Sequence, residues 1–155
     1  MKFLLAAVLA LSALFTNHQA LAAGHGPFGL GIVLAGPTGL SASYEYAGDK
    51  SIAGALAWGN GSFYLSADHL WVQPDLVKVD GIGIDVYFGL GGRLENRDRE
   101  DNKSEQTLGM RLPVGLSYHF QKVPLQLFGE LAPALILVDS SEFVVDVAVG
   151  GRYFF

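Results

Sequence analysis

The chain has 155 residues, with 10 basic and 15 acidic side chains and no Cys, which rules out a disulfide framework and a thiolate metal site. The acidic balance argues against nucleic acid as a partner. Half of the residues are hydrophobic and 16% are charged, against about 25% in an ordinary soluble domain, while Gly is 20 of 155 against a usual share of roughly 7%.

An export signal opens the chain. Lys2 supplies the positive charge, Phe3 to Phe15 is apolar but for Ser12, and Ala20-Leu21-Ala22 is a small-x-small cleavage site, with Leu21-Ala22-Ala23 as the other choice. Residues 1–23 are therefore expected to leave as a signal peptide, and residues 24–155 to form one domain. After the signal no apolar run is long enough for a spanning helix. A closed β-barrel is the other structure that satisfies its backbone within lipid.

Eight runs with period-2 alternation follow, separated by turn signals. The first, 27–35, sets Phe28, Leu30, Ile32 and Leu34 on one face against Gly29, Gly31, Val33 and Ala35; Gly36-Pro37-Thr38-Gly39 turns the chain. The second, 40–47, has Leu40, Ala42, Tyr44 and Tyr46 against Ser41, Ser43 and Glu45, and ends at the turn Gly48-Asp49-Lys50. The third, 51–58, has Ile52, Gly54, Leu56 and Trp58 against Ser51, Ala53, Ala55 and Ala57. Gly59-Asn60-Gly61 closes a tight hairpin. The fourth, 62–71, has Phe63, Leu65, Ala67, His69 and Trp71 against Tyr64, Ser66 and Asp68.

Residues 72–80 are expected to form a connection with some extended structure, because Pro74 cannot occupy a central strand. The fifth run, 81–91, has Ile82, Ile84, Val86, Phe88 and Leu90 against Gly83, Asp85, Tyr87, Gly89 and Gly91. Residues 92–106 are almost wholly polar and are expected to form a long loop. The sixth run, 107–120, has Leu108, Met110, Leu112, Val114, Leu116, Tyr118 and Phe120 against Gly109, Arg111, Gly115, Ser117 and His119. After the turn Gln121-Lys122-Val123-Pro124, the seventh, 125–138, has Leu125, Leu127, Gly129, Leu131, Leu135 and Leu137 against Gln126, Phe128, Glu130 and Ala134. Pro133 marks a bulge or a break in pairing there. The last run ends at Phe155, with Phe143, Val145, Val147, Val149, Gly151 and Tyr153 on its apolar face and Val144, Asp146, Ala148, Gly150, Arg152 and Phe154 on the other.

The pattern predicts an all-β, eight-stranded antiparallel up-and-down transmembrane β-barrel, with apolar residues toward lipid and small or polar residues inside. Both termini of the mature chain then lie in the periplasm, and 92–106 stands outside the cell. Tyr44, Tyr46, Trp71, Tyr118, Phe120, Tyr153 and Phe155 form a periplasmic girdle, and Trp58, Phe63 and Phe88 lie toward the outer rim. A soluble lipocalin-type barrel would reverse the faces, and its solvent face would carry many more Lys, Glu and Thr.

The segments GLGIVLAGPTGLSASYEY, SIAGALAWG, YFGLGGRLE, GMRLPVGLSYHF, PLQLFGELAPAL and VAVGGRYFF carry a resemblance across nearly the whole mature chain. It resembles the small eight-stranded bacterial outer-membrane barrels of the OmpA-transmembrane-domain and OmpX type, and more narrowly the uncharacterised Borrelia-type outer-membrane barrel family. The resemblance implies membrane integration, contact with membrane lipid and lipopolysaccharide, and recognition of the terminal strand, Tyr153 and Phe155, by the barrel assembly machinery. It brings no catalytic residues.

Seven inward charges, Glu45, Asp68, Asp85, Arg111, Glu130, Asp146 and Arg152, are expected to pair within a narrow lumen and close it. Arg111 has Asp85 or Glu130 on neighbouring strands, Arg152 and Asp146 have Glu45 or Glu130, and Tyr64 and Tyr87 can donate to the carboxylates. The reading is a structural or surface-interaction protein; the alternative is a narrow cation-preferring channel, since inner carboxylates outnumber guanidiniums. Arg93, Arg97, Arg99 and Lys103 are candidates for binding an extracellular ligand from the outer loop. His119 and Ser117 share a face, but a lipid-hydrolysing site would face the outer leaflet, so no enzyme is expected. The scattered His residues suggest no metal, no cofactor is indicated, and a barrel that closes on itself is expected to be a monomer.

Overall fold

Residues that alternate between branched or aromatic and small or polar side chains pair readily as half-buried strands. The computed structural model describes residues 26–34, 38–59, 61–98, 104–138 and 141–155. The expected signal peptide, 1–23, lies outside these residues, as do Arg99 and Lys103. The described strands are β1 (Phe28–Leu34), β2 (Gly39–Ala47), β3 (Lys50–Gly59), β4 (Ser62–Val79), β5 (Ile82–Asp98), β6 (Ser104–Arg111), β7 (Val114–His119), β8 (Leu125–Ile136) and β9 (Glu142–Phe154).

All pairings are antiparallel, and the ladder returns to its start. Consecutive strands pair from β1 to β5, β5 pairs with both β6 and β7, β8 takes both of these on its other side, and β9 joins β8 to β1. Nine strands thus fill eight positions around a closed sheet. The single sixth run expected over 107–120 is two strands, because Leu112 and Pro113 interrupt it. Pro113 has no N–H to give, yet its carbonyl still accepts from Gly89 N at 2.8 Å. On the other side Leu112 N donates to the carbonyl of Pro133 at 2.9 Å. Pro113 thus lacks its donor on the side of β5, and Pro133 lacks its donor on the side of Leu112. Pro133 itself stays within β8, paired to Val145.

The faces divide as alternation requires. Leu30, Ile32, Leu65, Leu90, Leu116, Leu131 and Val147 are exposed on the outside. Val33, Ser41, Ala53, Tyr87, Phe128 and Phe154 are buried within. Phe155 N donates to Phe28 O at 3.0 Å, so the first and last strands meet at what is called here the near end. Phe28, Tyr46, His69, Trp71, Tyr118, Phe120, Tyr153 and Phe155 form ring contacts around that rim. Phe88 belongs with them rather than with the opposite rim, since it pairs in register with Trp71 and stacks on it at 5.7 Å.

Two stretches depart from the sequence reading. Residues 72–80 are not a plain connection, for β4 runs on to Val79 and pairs with β5 up to Val79↔Ile82. A bulge between Gln73 and Val77 takes up Pro74, and Asp80-Gly81 closes the hairpin with φ of 50° and 83°. Positive φ at both central positions is what the favoured two-residue hairpin turn requires. Likewise 92–106 is mostly strand, with Arg93–Asp98 in β5 and Ser104–Gln106 in β6.

Inward glycines make room for side chains that reach across a strand. A Cβ at Gly91 would meet Asp68 Oδ1 at 1.9 Å and the Ala67 carbonyl at 2.4 Å, whereas at outward-facing Gly129 nothing lies within 4 Å. Gly91→Val is therefore expected to abolish the heat-modifiable folded band on a gel, and Gly129→Ala to retain it. Equal folding of both variants would show that the row through Gly91 is not tightly filled.

Candidate functional site: the barrel interior

The interior is built in rows set by strand register. One row reads Asp68, Gly91, Arg111 across β4, β5 and β6. With no side chain at Gly91, Asp68 and Arg111 meet over it, Nε to Oδ1 at 3.2 Å. A second row reads Tyr87, Gly115, Glu130, and the Tyr87 hydroxyl donates to Glu130 over the glycine at 3.0 Å. A third reads Gln126, Arg152, Gly31, Ser41, and Arg152 Nε donates to Ser41 Oγ over Gly31 at 2.9 Å.

Arg111, only 4% exposed, is the central node. Its guanidinium pairs with Asp68 and Glu130, lies 3.7 Å from Asp146, and donates to the Tyr64 hydroxyl. The Tyr64 hydroxyl in turn donates a hydrogen bond to Asp146 at 3.1 Å. Toward the far end Arg93 donates to Asp146 at 2.7 Å and to Glu95, and its guanidinium stands 5.1 Å above the Tyr64 ring. Arg97, largely exposed, donates to the other oxygen of Glu95 at 2.8 Å. Toward the near end His119 sits between Asp85 at 3.2 Å and Glu45 at 3.4 Å, contacts Gln126 at 3.1 Å, and packs against Phe154.

These placements refine the expected pairs. Arg111 reaches Glu130 but not Asp85, which lies nearer the termini with His119 and also accepts from Asp75 N at 2.9 Å. Asp146 is held by Arg93, Tyr64 and Arg111, and not by Glu45 or Glu130. Arg152 takes neutral partners: Ser41, the Gln126 carbonyl oxygen at 3.1 Å and the Phe128 ring at 4.0 Å. Arg93 was expected in an outer loop, but its side chain is 6% exposed and belongs to the interior, as does Glu95 at 8%. Leu94, alone among charges, was the signal: alternation carried on from Phe88, Leu90 and Gly92 puts it outside and Arg93 and Glu95 inside. Both ring nitrogens of His119 face Asp85, Glu45 or Gln126, so the imidazole is not free to activate Ser117. Among the described residues no group of three His, Asp or Glu is arranged to hold a metal.

Space remains where one wall is small. Ala53, Ala55, Ala57, Ser41 and Ser66 line a cavity of about 290 Å³ opposite Arg111, Glu130 and Asp146. A second cavity of about 430 Å³, bordered by Arg93, Glu95, Arg97, Glu105 and Glu142, lies toward the far end. Tyr64 and Asp146 border both cavities. Below the first, Tyr87, Phe128, Arg152 and Phe154 fill the section.

The fold is similar to the crystal structure of the N-terminal β-barrel domain of Pseudomonas aeruginosa OprF, with a TM-score of 0.55 and 16% sequence identity over 81% of this chain and 94% of that one. No protein-family model and no curated protein matches the chain. The likeness lies in an OmpA/OprF-like barrel fold and singles out no family.

Breaking a buried ion pair by removing one partner typically costs about 3–5 kcal/mol, because a charge is left uncompensated. Arg111→Met strands Asp68 and Glu130, whereas Arg152→Met removes a guanidinium whose direct partners, Ser41 and Gln126, are neutral. In urea titrations of the chain in lipid vesicles, the first variant is expected to lose about 3–5 kcal/mol and the second markedly less. A reversed order would remove Arg111 from its central place.

Proposed function

We propose that this chain is an integral outer-membrane β-barrel, exported through a signal over 1–23, with a structural or surface-interaction role and a lumen closed by its own side chains. The observation that carries the reading is the union of a closed ladder with an apolar outer face and an interior of interlocked charges. In water such an outer face would be a large aggregation site; in lipid it is the required surface. An unpaired Arg or Asp would be costly in the narrow interior, and the network around Arg111 meets that cost by mutual pairing.

Both termini are assigned to the periplasm, so the far ends of β5 and β6, at Asp98 and Ser104, are assigned to the outside. The rings of Tyr153 and Phe155 are more than half exposed, and are offered here as the signal read by the barrel assembly machinery. Membrane lipid and lipopolysaccharide are the partners of the outer face. With Arg93 drawn inside, Arg97 is the described cation left for an extracellular ligand at the far end.

One observation favours a second reading, a narrow cation-preferring channel. Cavities of about 290 and 430 Å³ lie in series and share Tyr64 and Asp146 in their walls. The near end is nevertheless filled by Phe128, Arg152 and Phe154, which supports a plug over a path.

Planar-bilayer recording decides between them. The refolded chain, with insertion checked by its heat-modifiable migration, is expected to show no discrete conductance steps. Cation-selective steps that change in Arg111→Ala would make the lumen a channel and overturn the plug.

A further inference from the structure

The β4–β5 hairpin continues past every neighbouring strand at the near end. β3 accompanies β4 only to Trp71, and β7 accompanies β5 only to Asp85. Among the described residues, 73–79 and 82–84 therefore form a two-stranded ribbon with no third strand beside it. Such a ribbon is marginally stable at best in water and exposes two open edges.

Its two faces differ sharply. Register pairs Val77 with Ile84, Val79 with Ile82 and Gln73 with Val86, all on the outward side. The inward side carries Lys78, Gly83 and Asp85, with the Asp75 carboxylate lying over Gly83, while Leu76, within the bulge, is also exposed. The apolar face continues directly from the stacked pair Trp71 and Phe88, which belongs to the aromatic rim. The outward stretch from Phe63 to Trp71 already has the length of a spanning strand, about 9–11 residues. From Phe88 to Ile82 the ribbon then extends roughly 20 Å further, at about 3.3 Å per residue.

We propose that this ribbon is an interfacial lipid contact, with Val77, Val79, Ile82 and Ile84 seated at the headgroup–acyl boundary of the leaflet at the near end. The inference rests on the membrane reading above. The apolar face is the same face that the barrel turns toward lipid, joined to the girdle through Val86 on β5, with Gln73 the polar residue beside it on β4. Lipid covers it as a continuation of the face the barrel already turns toward lipid. Charges are confined to the inward face and the tip, as in an element lying at an interface with one side wet. The bulge at Asp75, with its φ of 51°, supplies the bend that lets the ribbon lean away from the barrel axis.

The chain has no Cys, so single labels are clean. An environment-sensitive fluorophore is placed on Val79→Cys, Lys78→Cys and Leu65→Cys, each refolded into phosphatidylcholine–phosphatidylglycerol vesicles. Nitroxides carried on the headgroup or high on the acyl chain serve as quenchers. The label at 65 reports the barrel itself, and failure of lipid nitroxides to quench it would sink the membrane reading rather than the ribbon. With 65 quenched, the label at 79 is expected to be blue-shifted and quenched by the shallow nitroxides, and the label at 78 by aqueous iodide alone. Adding Val77→Asp and Ile82→Asp should return the label at 79 to iodide quenching while the folded band persists. If 79 behaves like 78 in the parent ribbon, the ribbon stands in water and the proposal fails. If 79 is blue-shifted, untouched by lipid nitroxides and cross-links between chains, a second copy covers the face and the proposal is equally overturned.

Discussion

Closure of the ladder is the constraint from which the rest follows. Once β9 pairs with β1, no edge remains around the ring, and the outer face is free to be wholly apolar. The same closure encloses a volume too narrow for hydrated charges, so every inward polar group must find a partner within the ring. Glycines answer this geometrically. At Gly31, Gly91 and Gly115 the missing side chain lets residues two strands apart touch, which ties strands that share no ladder.

The interior is layered along the axis. His119 and its two carboxylates stand near the termini, Arg152 lies within a neutral set above them, Arg111 joins three acids at mid-height, and Arg93 and Glu95 close toward the far end. The tier at mid-height faces Ala and Ser across the first cavity, and Arg93 and Glu95 border the second toward the far end. Likeness to the OprF barrel domain extends over most of both chains at 16% identity, which fits a fold maintained by alternation and closure rather than by particular side chains.

What the sequence disclosed and what it withheld divide along one physical line. Period-2 alternation fixes the face of a residue, and it placed Asp68, Asp85, Arg111, Glu130, Asp146 and Arg152 on the inner wall. It carries no information on height, which is set by register and stagger around the whole ring. Hence alternation leaves Arg111 a choice between Asp85 and Glu130, of which it meets Glu130 while Asp85 lies beside His119, and it sets Phe88 toward the outer rim although the ring stacks on Trp71. The other misreadings came from weighting composition over period. A run of charges suggested a loop at 92–106, but the lone Leu94 kept the alternation and the strand. Pro74 suggested a connection, while Asp80-Gly81 announced a hairpin a few residues on. Pro113 splits the sixth run in two, and the Pro133 carbonyl of the next strand takes up Leu112 N beside it, a juxtaposition visible only in the fold.

The lopsided interior has a consequence for how such a sequence can drift. Ala55 and Ala148 look onto the first cavity and are not fully buried, so larger apolar replacements there have space to enter. The opposite wall, from Tyr64 through Arg93 to Arg111 and Glu130, admits change only when two or more positions move together. Single-step variation should therefore accumulate at Ala55 and Ala148, while the charged wall changes rarely and in coordinated sets, giving one barrel two rates of evolution.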